Sequence, residues 1–201
     1  MQRGSRNPVA SRRICPRPKP KSPAPMLDFL NARTDMRRKA GKIYGVIVTQ
    51  ARRAAFYADL GVPDIPSGRY EMVVVHLVLV LERLRSAPTA GADLPRLLVE
   101  AFIADMDDSL REMGTGDLTV PRKVRRAATG LYERSVAYQE ALAASDGGAL
   151  AAVLREHTYA DADAQSAPRL AGYVQAAAAA LAATDVGQVA AGSFEFPEVP
   201  H

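Results

Sequence analysis

The stretch RYEMVVVHLVLVLERLR, residues 69–85, decides the fold. Between Met72 and Leu81 it is apolar around nearly its whole circumference, interrupted only by His76, and such a helix belongs at the centre of a bundle. Its valines would also suit a strand, but its length, the LERLR ending and the helical character of its neighbours decide for helix. The apolar run falls well short of the roughly 20 residues needed to cross a bilayer, so no membrane span is expected.

Working outward, the preceding segment KAGKIYGVIVTQARRAAFYADLGVP places Ile43, Val46, Ile47, Ala51, Ala54 and Ala55 at helical spacing and stops at Gly61 and Pro63. It reads as one helix with a bend near Arg53, separated from the central helix by the turn DIPSG. Further upstream, Leu27, Phe29 and Leu30 suggest a short first helix or anchor. Downstream, a loop around Pro88 to Gly91 leads to Asp93 as N-cap, with Pro95 tolerated in the first turn. The helix from there to Met113 is amphipathic: Leu94, Leu98, Ala101, Phe102, Met106, Leu110 and Met113 make one apolar face, opposite Arg96, Glu100, Asp107 and Arg111. After the tight connection GTGDL, Thr119 caps another helix, whose inward seam is Val124, Ala128, Leu131, Ser135, Tyr138 and Leu142. A short loop between two long helices makes them antiparallel neighbours, so these two should pack together. Asp146, Gly147 and Gly148 break the run, ALAAVLREHTY makes a short helix, and Ser166 with Pro168 opens an Ala-rich helix through about Ala183. The tail from Ser193 to His201 is expected to be irregular. The fold class is therefore all-α: a single-domain bundle of about six helices over residues 26–201.

Residues 1–25 are expected to form a disordered, basic, Pro-rich leader, with Met26 as an alternative first residue. They hold Arg3, Arg6, Arg12, Arg13, Arg17, Lys19 and Lys21 and no acid. Six prolines in the same stretch would break an amphipathic targeting helix. With those seven cations set aside, 19 basic residues face 22 acidic ones, a formal −3 that argues against a body built to grip DNA. The only cysteine, Cys15, lies in the leader, so no disulfide framework, cysteine zinc site or thiol nucleophile is expected in the body.

Candidate chemistry is sparse. In ADMDDSLRE, Asp105, Asp108 and Glu112 fall along one line of a helix, and such a row can hold a hard cation in a helical metal-dependent enzyme. That use needs a second acidic cluster on a facing helix, and none is evident. The plainer reading is pairing with nearby basic residues. Asp105 sits inside the margin of the apolar face and needs a partner, for which His76 and the arginines opening the next helix are the candidates. No second histidine stands at ligand spacing from His76, so it reads as structural. A Ser-centred nucleophile elbow, a Gly-rich phosphate loop and a His-Glu zinc helix are all missing from the sequence, and no catalytic residue, metal or cofactor is assigned.

Two surfaces suggest binding instead. RKVRR, residues 122–126, crowds four cations into the first turns of a helix, where the macrodipole disfavours positive charge by about 0.3–1 kcal/mol each. Asp108 and Glu112 could neutralise them; the functional reading is a docking patch for an acidic partner or RNA. Tyr44, Phe56, Tyr57 and Tyr70, interspersed with Arg52, Arg53 and Arg69, have the aromatic and arginine character of protein interfaces.

The ordered segments IYGVIVTQAR, AFYADLGVPD, GRYEMVVVHLVLVLERLR, FIADMDDSLREMGTGDLTVPRKVRR and GLYERSVAYQEAL resemble the ubiquinol-cytochrome c chaperone family over about Lys42 to Leu142. The leader and the Ala-rich end lie outside that resemblance. It implies a helical, non-enzymatic chaperone that binds newly made cytochrome b, or a related membrane client, during assembly of respiratory complex III. It also implies a small partner protein, the ribosome and peripheral contact with the inner membrane. The place would be the cytoplasm of a bacterium or the mitochondrial matrix of a eukaryote. Client or partner contacts are expected around Tyr44, Phe56, Tyr57, Arg69, His76, Asp105, Arg111 and Lys123. A ribosome- or RNA-associated factor using Arg122 to Arg126 is the other binding reading.

Overall fold

A computed structural model describes residues 24–86, 93–144, 147–159 and 164–200, with side chains from residue 33 onward. They form α1 (Ala24–Ala51), α2 (Ala54–Ala58), α3 (Pro66–Arg85), α4 (Asp93–Glu112), α5 (Val120–Ala143), α6 (Gly147–Leu154), a π-helical turn (Arg155–Tyr159), α7 (Ala167–Ala183) and α8 (Val186–Ala190). No strand occurs among the described residues. Of the expected leader, residues 1–23 lie outside them, while Ala24 and Pro25 already belong to α1. The loop expected at Pro88 to Gly91, Asp146 and His201 are likewise outside.

α3 is the axis of the bundle. Every residue from Glu71 to Leu81 is buried, because α1, α4, α5, α7, α8 and the π turn all pack against it. This is the arrangement that an all-round apolar helix requires. The most extensive interhelical packing is between α1 and α4, whose buried Leu94, Leu98 and Phe102 come from the amphipathic face read in the sequence. α4 and α5 are neighbours, as the short connection demands, and Gly114 at φ 75° makes the reversal possible.

The expected bend near Arg53 is a complete break. Arg53 is extended (φ −62°, ψ 129°), and the Tyr57 hydroxyl donates to the Ala51 carbonyl at 2.7 Å, satisfying an orphan acceptor at the end of α1. Gly68 sits against the chain it follows: a Cβ there would lie 2.0 Å from the Pro63 carbonyl oxygen, so only glycine lets α3 begin this close to the turn. Thr119 stands at the N-cap of α5, but its own backbone is helical and its side chain makes no capping bond.

The tail is irregular, as expected, and yet it is core. Phe194, Phe196 and Val199 are buried, and the Gln50 side chain donates to the Pro197 carbonyl at 3.2 Å. The C-terminal end of α7 is closed by Arg83, which donates to the Leu181 carbonyl at 2.9 Å and the Thr184 carbonyl at 2.7 Å.

Candidate functional site

α3, α4 and α5 do not close completely on one another at the end where α4 turns into α5. They leave a groove of about 390 Å³. Pro66, Arg69, Tyr70 and Val73 of α3 form one wall; the second half of α4, through Asp105, Met106, Ser109, Leu110 and Glu112, and Met113 just after it form the other. Lys123 and Ala127 of α5 and Arg52, from the break after α1, complete it. The apolar face of α4 outruns its neighbours here. Leu98 and Phe102 are fully buried, Met106 and Leu110 are half-buried, and Met113 is 57 % exposed. Of the five exposed large hydrophobic residues described, three frame this end: Ile65 beside Pro66, Met113 itself, and Leu118 in the α4–α5 connection.

Asp105 is the polar centre of the groove. Its partner is neither His76 nor an arginine of α5 but Tyr44, whose hydroxyl donates to the carboxylate at 2.8 Å. Burial, the bond to Asp105 and the negative charge of Asp105 together push the Tyr44 hydroxyl well above the ordinary phenol range, so it stays a neutral donor. Sequence spacing places Asp105 inside the margin of an apolar face, and Tyr44 among the aromatic residues of a binding surface; only the packing of α1 on α4 decides that they meet. Tyr70 crosses the floor and donates to the Ala127 carbonyl at 2.9 Å, its hydroxyl pushed up to about 12 by burial.

The remaining residues expected at a binding surface divide. Arg69 lines the groove, paired with Asp64 at 2.6 Å and lying 6.0 Å from the centre of the Tyr57 ring; Tyr57 is half-buried behind it. Lys123 lines the groove and bonds the Thr115 hydroxyl at 3.3 Å. Arg111 points elsewhere, holding the α4–α5 connection through Asp107 at 2.7 Å and Asp117 at 2.6 Å. Phe56 and His76 are fully buried and do not line the groove. The row Asp105, Asp108 and Glu112 does not converge with a second acidic set: among the described residues no three His, Cys, Asp or Glu side chains are placed to hold a metal.

His76 belongs to an internal network. The Gln50 amide donates to the Tyr173 hydroxyl at 2.9 Å, the hydroxyl lies 2.8 Å from His76 Nε2, and His76 Nδ1 lies 2.7 Å from the Met72 carbonyl. Since the carbonyl can only accept, Nδ1 carries the proton and Nε2 accepts from Tyr173, which is the neutral tautomer. Phe56 and Phe196 close over it with edge contacts at 5.5 and 4.8 Å. Burial pushes the imidazole down to about 4, against an upward pull from Met72.

Because the folded pKa lies below the unfolded 6.5, the unfolded chain binds more protons as pH falls. The contribution of neutral His76 is complete above about 6.5 and drains away towards about 4. Between pH ~7 and ~5 it amounts to about 2 kcal/mol. Denaturant unfolding should show that excess loss in the native chain and not in His76→Gln; equal losses in the two proteins would contradict this.

Comparison with known proteins gives two findings. A family model described as Ubiquinol-cytochrome C chaperone matches residues 58–196. The crystal structure of the Cbp3 homolog from Brucella abortus is similar at 35 % sequence identity and TM-score 0.76, over 87 % of this chain and 97 % of that one. No curated protein matches. The family match starts later than the resemblance read from the sequence and continues past Leu142 through the Ala-rich end to Phe196. That extent agrees with the burial of α7 and of the tail in the common core.

Proposed function

Because the chain belongs to the ubiquinol-cytochrome c chaperone family, we propose that it acts as a binding protein for newly made cytochrome b during assembly of respiratory complex III, and that the α3–α4–α5 groove receives the client. The observation that carries this is the progressive uncovering of the apolar face of α4, from half-buried Met106 and Leu110 to exposed Met113 just beyond its end. An exposed apolar surface in a concave setting is what a protein needs to shield a membrane-destined segment before its final partners arrive. The work is retention rather than chemistry: Tyr44 anchors the α4 wall to α1 through Asp105, and Met side chains adapt to segments of varied shape.

A small partner protein and the ribosome fit the same reading as the sources from which the client is delivered, with docking at the inner-membrane surface peripheral. Among the described residues no helix is long and apolar enough to cross a membrane.

Deleting the gene should lower assembled cytochrome b several-fold while leaving its transcript unchanged, and the native gene should restore it. Met113→Glu combined with Leu110→Glu should fail to restore it, although helix content by circular dichroism stays native. Normal complex III in the deletion strain would overturn the reading.

A further inference from the structure

We propose that the segment received by the groove is apolar with carboxylates on one flank, which the cations opening α5 recognise. This rests on the reading that the groove receives the client and adds what the client must carry. Arg122, Lys123, Arg125 and Arg126 are all exposed, and the first turn of α5 holds no acid. The neutralisation that the sequence suggested does not occur: among the described residues no ion pair joins any of the four to Asp108 or Glu112. The nearby acids that do pair, Asp107 and Asp117, are taken by Arg111. Four cations thus stand unneutralised at a helix N-terminus, where the backbone dipole opposes them.

Their position gives that unfavourable arrangement a use. Lys123 lines the groove, and Arg126 directly precedes the lining residue Ala127. Across the opening, Arg52 adds another cation that forms no ion pair among the described residues. The lining between them is largely apolar, through Val73, Met106 and Leu110; its two carboxylates both lie on the α4 side, Asp105 held by Tyr44 and Glu112 at the helix end, so the cationic flank is the α5 side. An RNA backbone has no use for an apolar floor, and a bilayer surface does not enter a concave groove. A polypeptide with an apolar stretch followed by Asp or Glu satisfies both features at once, and charge complementarity of this kind selects partners and orients them.

The test uses the full chain and two fluorescent synthetic helical peptides with one Leu/Ala/Met core, one ending in a run of Glu and its twin in a run of Lys. Anisotropy at low salt should show the Glu peptide binding about ten-fold tighter, the size expected of a few exposed ion pairs acting together. The difference should shrink as salt is added. Arg122→Glu with Arg126→Glu should invert the preference, and because it places an acid in the first turn of α5 and removes a cation from the second, it should melt no lower than the native chain. Equal binding of the two peptides would overturn the charge selection and leave the groove reading standing. Binding of neither would overturn both. Tighter, charge-dependent binding of phosphatidylglycerol vesicles or of poly(U) would assign the cations to lipid or RNA and overturn the proposal.

Discussion

Arg134→Ala should destabilise the protein by about 3–5 kcal/mol, the range for leaving one member of a buried ion pair alone. Glu71 lies on the central helix with its side chain 5 % exposed, and Arg134 of α5 covers it at 20 %. The guanidinium donates to both carboxylate oxygens, at 2.8 and 3.0 Å to one and 3.1 Å to the other. Burial pushes the Glu71 carboxyl up, while the bonds and charge of Arg134 pull it back. Without Arg134 only the smaller pull of His157 opposes burial, and the carboxyl, already raised, is driven further towards its neutral form. Its folded pKa then lies above the unfolded value, so the penalty grows as pH rises through the unfolded carboxylate range near 4.3. Unfolding of Arg134→Ala by denaturant should accordingly show a larger deficit at pH ~7 than at pH ~4. Arg134→Met with Glu71→Gln should recover much of it, since no buried charge remains. A deficit under 1 kcal/mol at neutral pH would contradict this account of the α3–α5 contact.

Phe56→Ala should be about as damaging, at about 3–5 kcal/mol, because α2 inserts a single large ring and nothing else fills its place. Phe56 is fully buried and meets the Tyr173 ring edge-on at 4.9 Å and the His76 ring at 5.5 Å. Truncation removes those contacts and opens a cavity beside the Gln50–Tyr173–His76 network. The melting temperature should drop by roughly 10 °C, given about 2–4 °C per kcal/mol in a chain of this size. Below that temperature client binding should be unchanged, since Phe56 is fully buried and does not line the groove. Met113→Glu should show the reverse pattern, with melting close to native and binding lost. A Phe56→Ala variant that melts normally but no longer binds would return Phe56 to the binding surface.

These contrasts mark where sequence reading succeeds and where it stops. Periodicity identifies α3 as the central helix because an all-round apolar surface has one physical solution, and it finds the face of α4 because hydrophobic residues recur there at helical spacing. It does not tell which part of a face is covered. Met106, Leu110 and Met113 continue the pattern of Leu98 and Phe102, and only the reach of the neighbouring helices makes the first group groove and the second core. The same limit separates Tyr44 and Phe56, two aromatics on one stretch of chain with different fates. Glu71 and Arg134 escape notice altogether, since a charged residue inside a helix reads as surface until its partner 63 positions away is brought beside it. The tail carries too few residues to show a period, so the burial of Phe194, Phe196 and Val199 emerges only from the fold.

The central claim is that the open end of the α4 face holds cytochrome b. A photoactivatable phenylalanine analogue at Met113 or Leu110, irradiated in intact cells, should yield an adduct containing cytochrome b, whereas the same analogue at exposed Ala176 of α7 should not. Adducts lacking cytochrome b at the groove positions, or equally abundant ones from Ala176, would contradict the account.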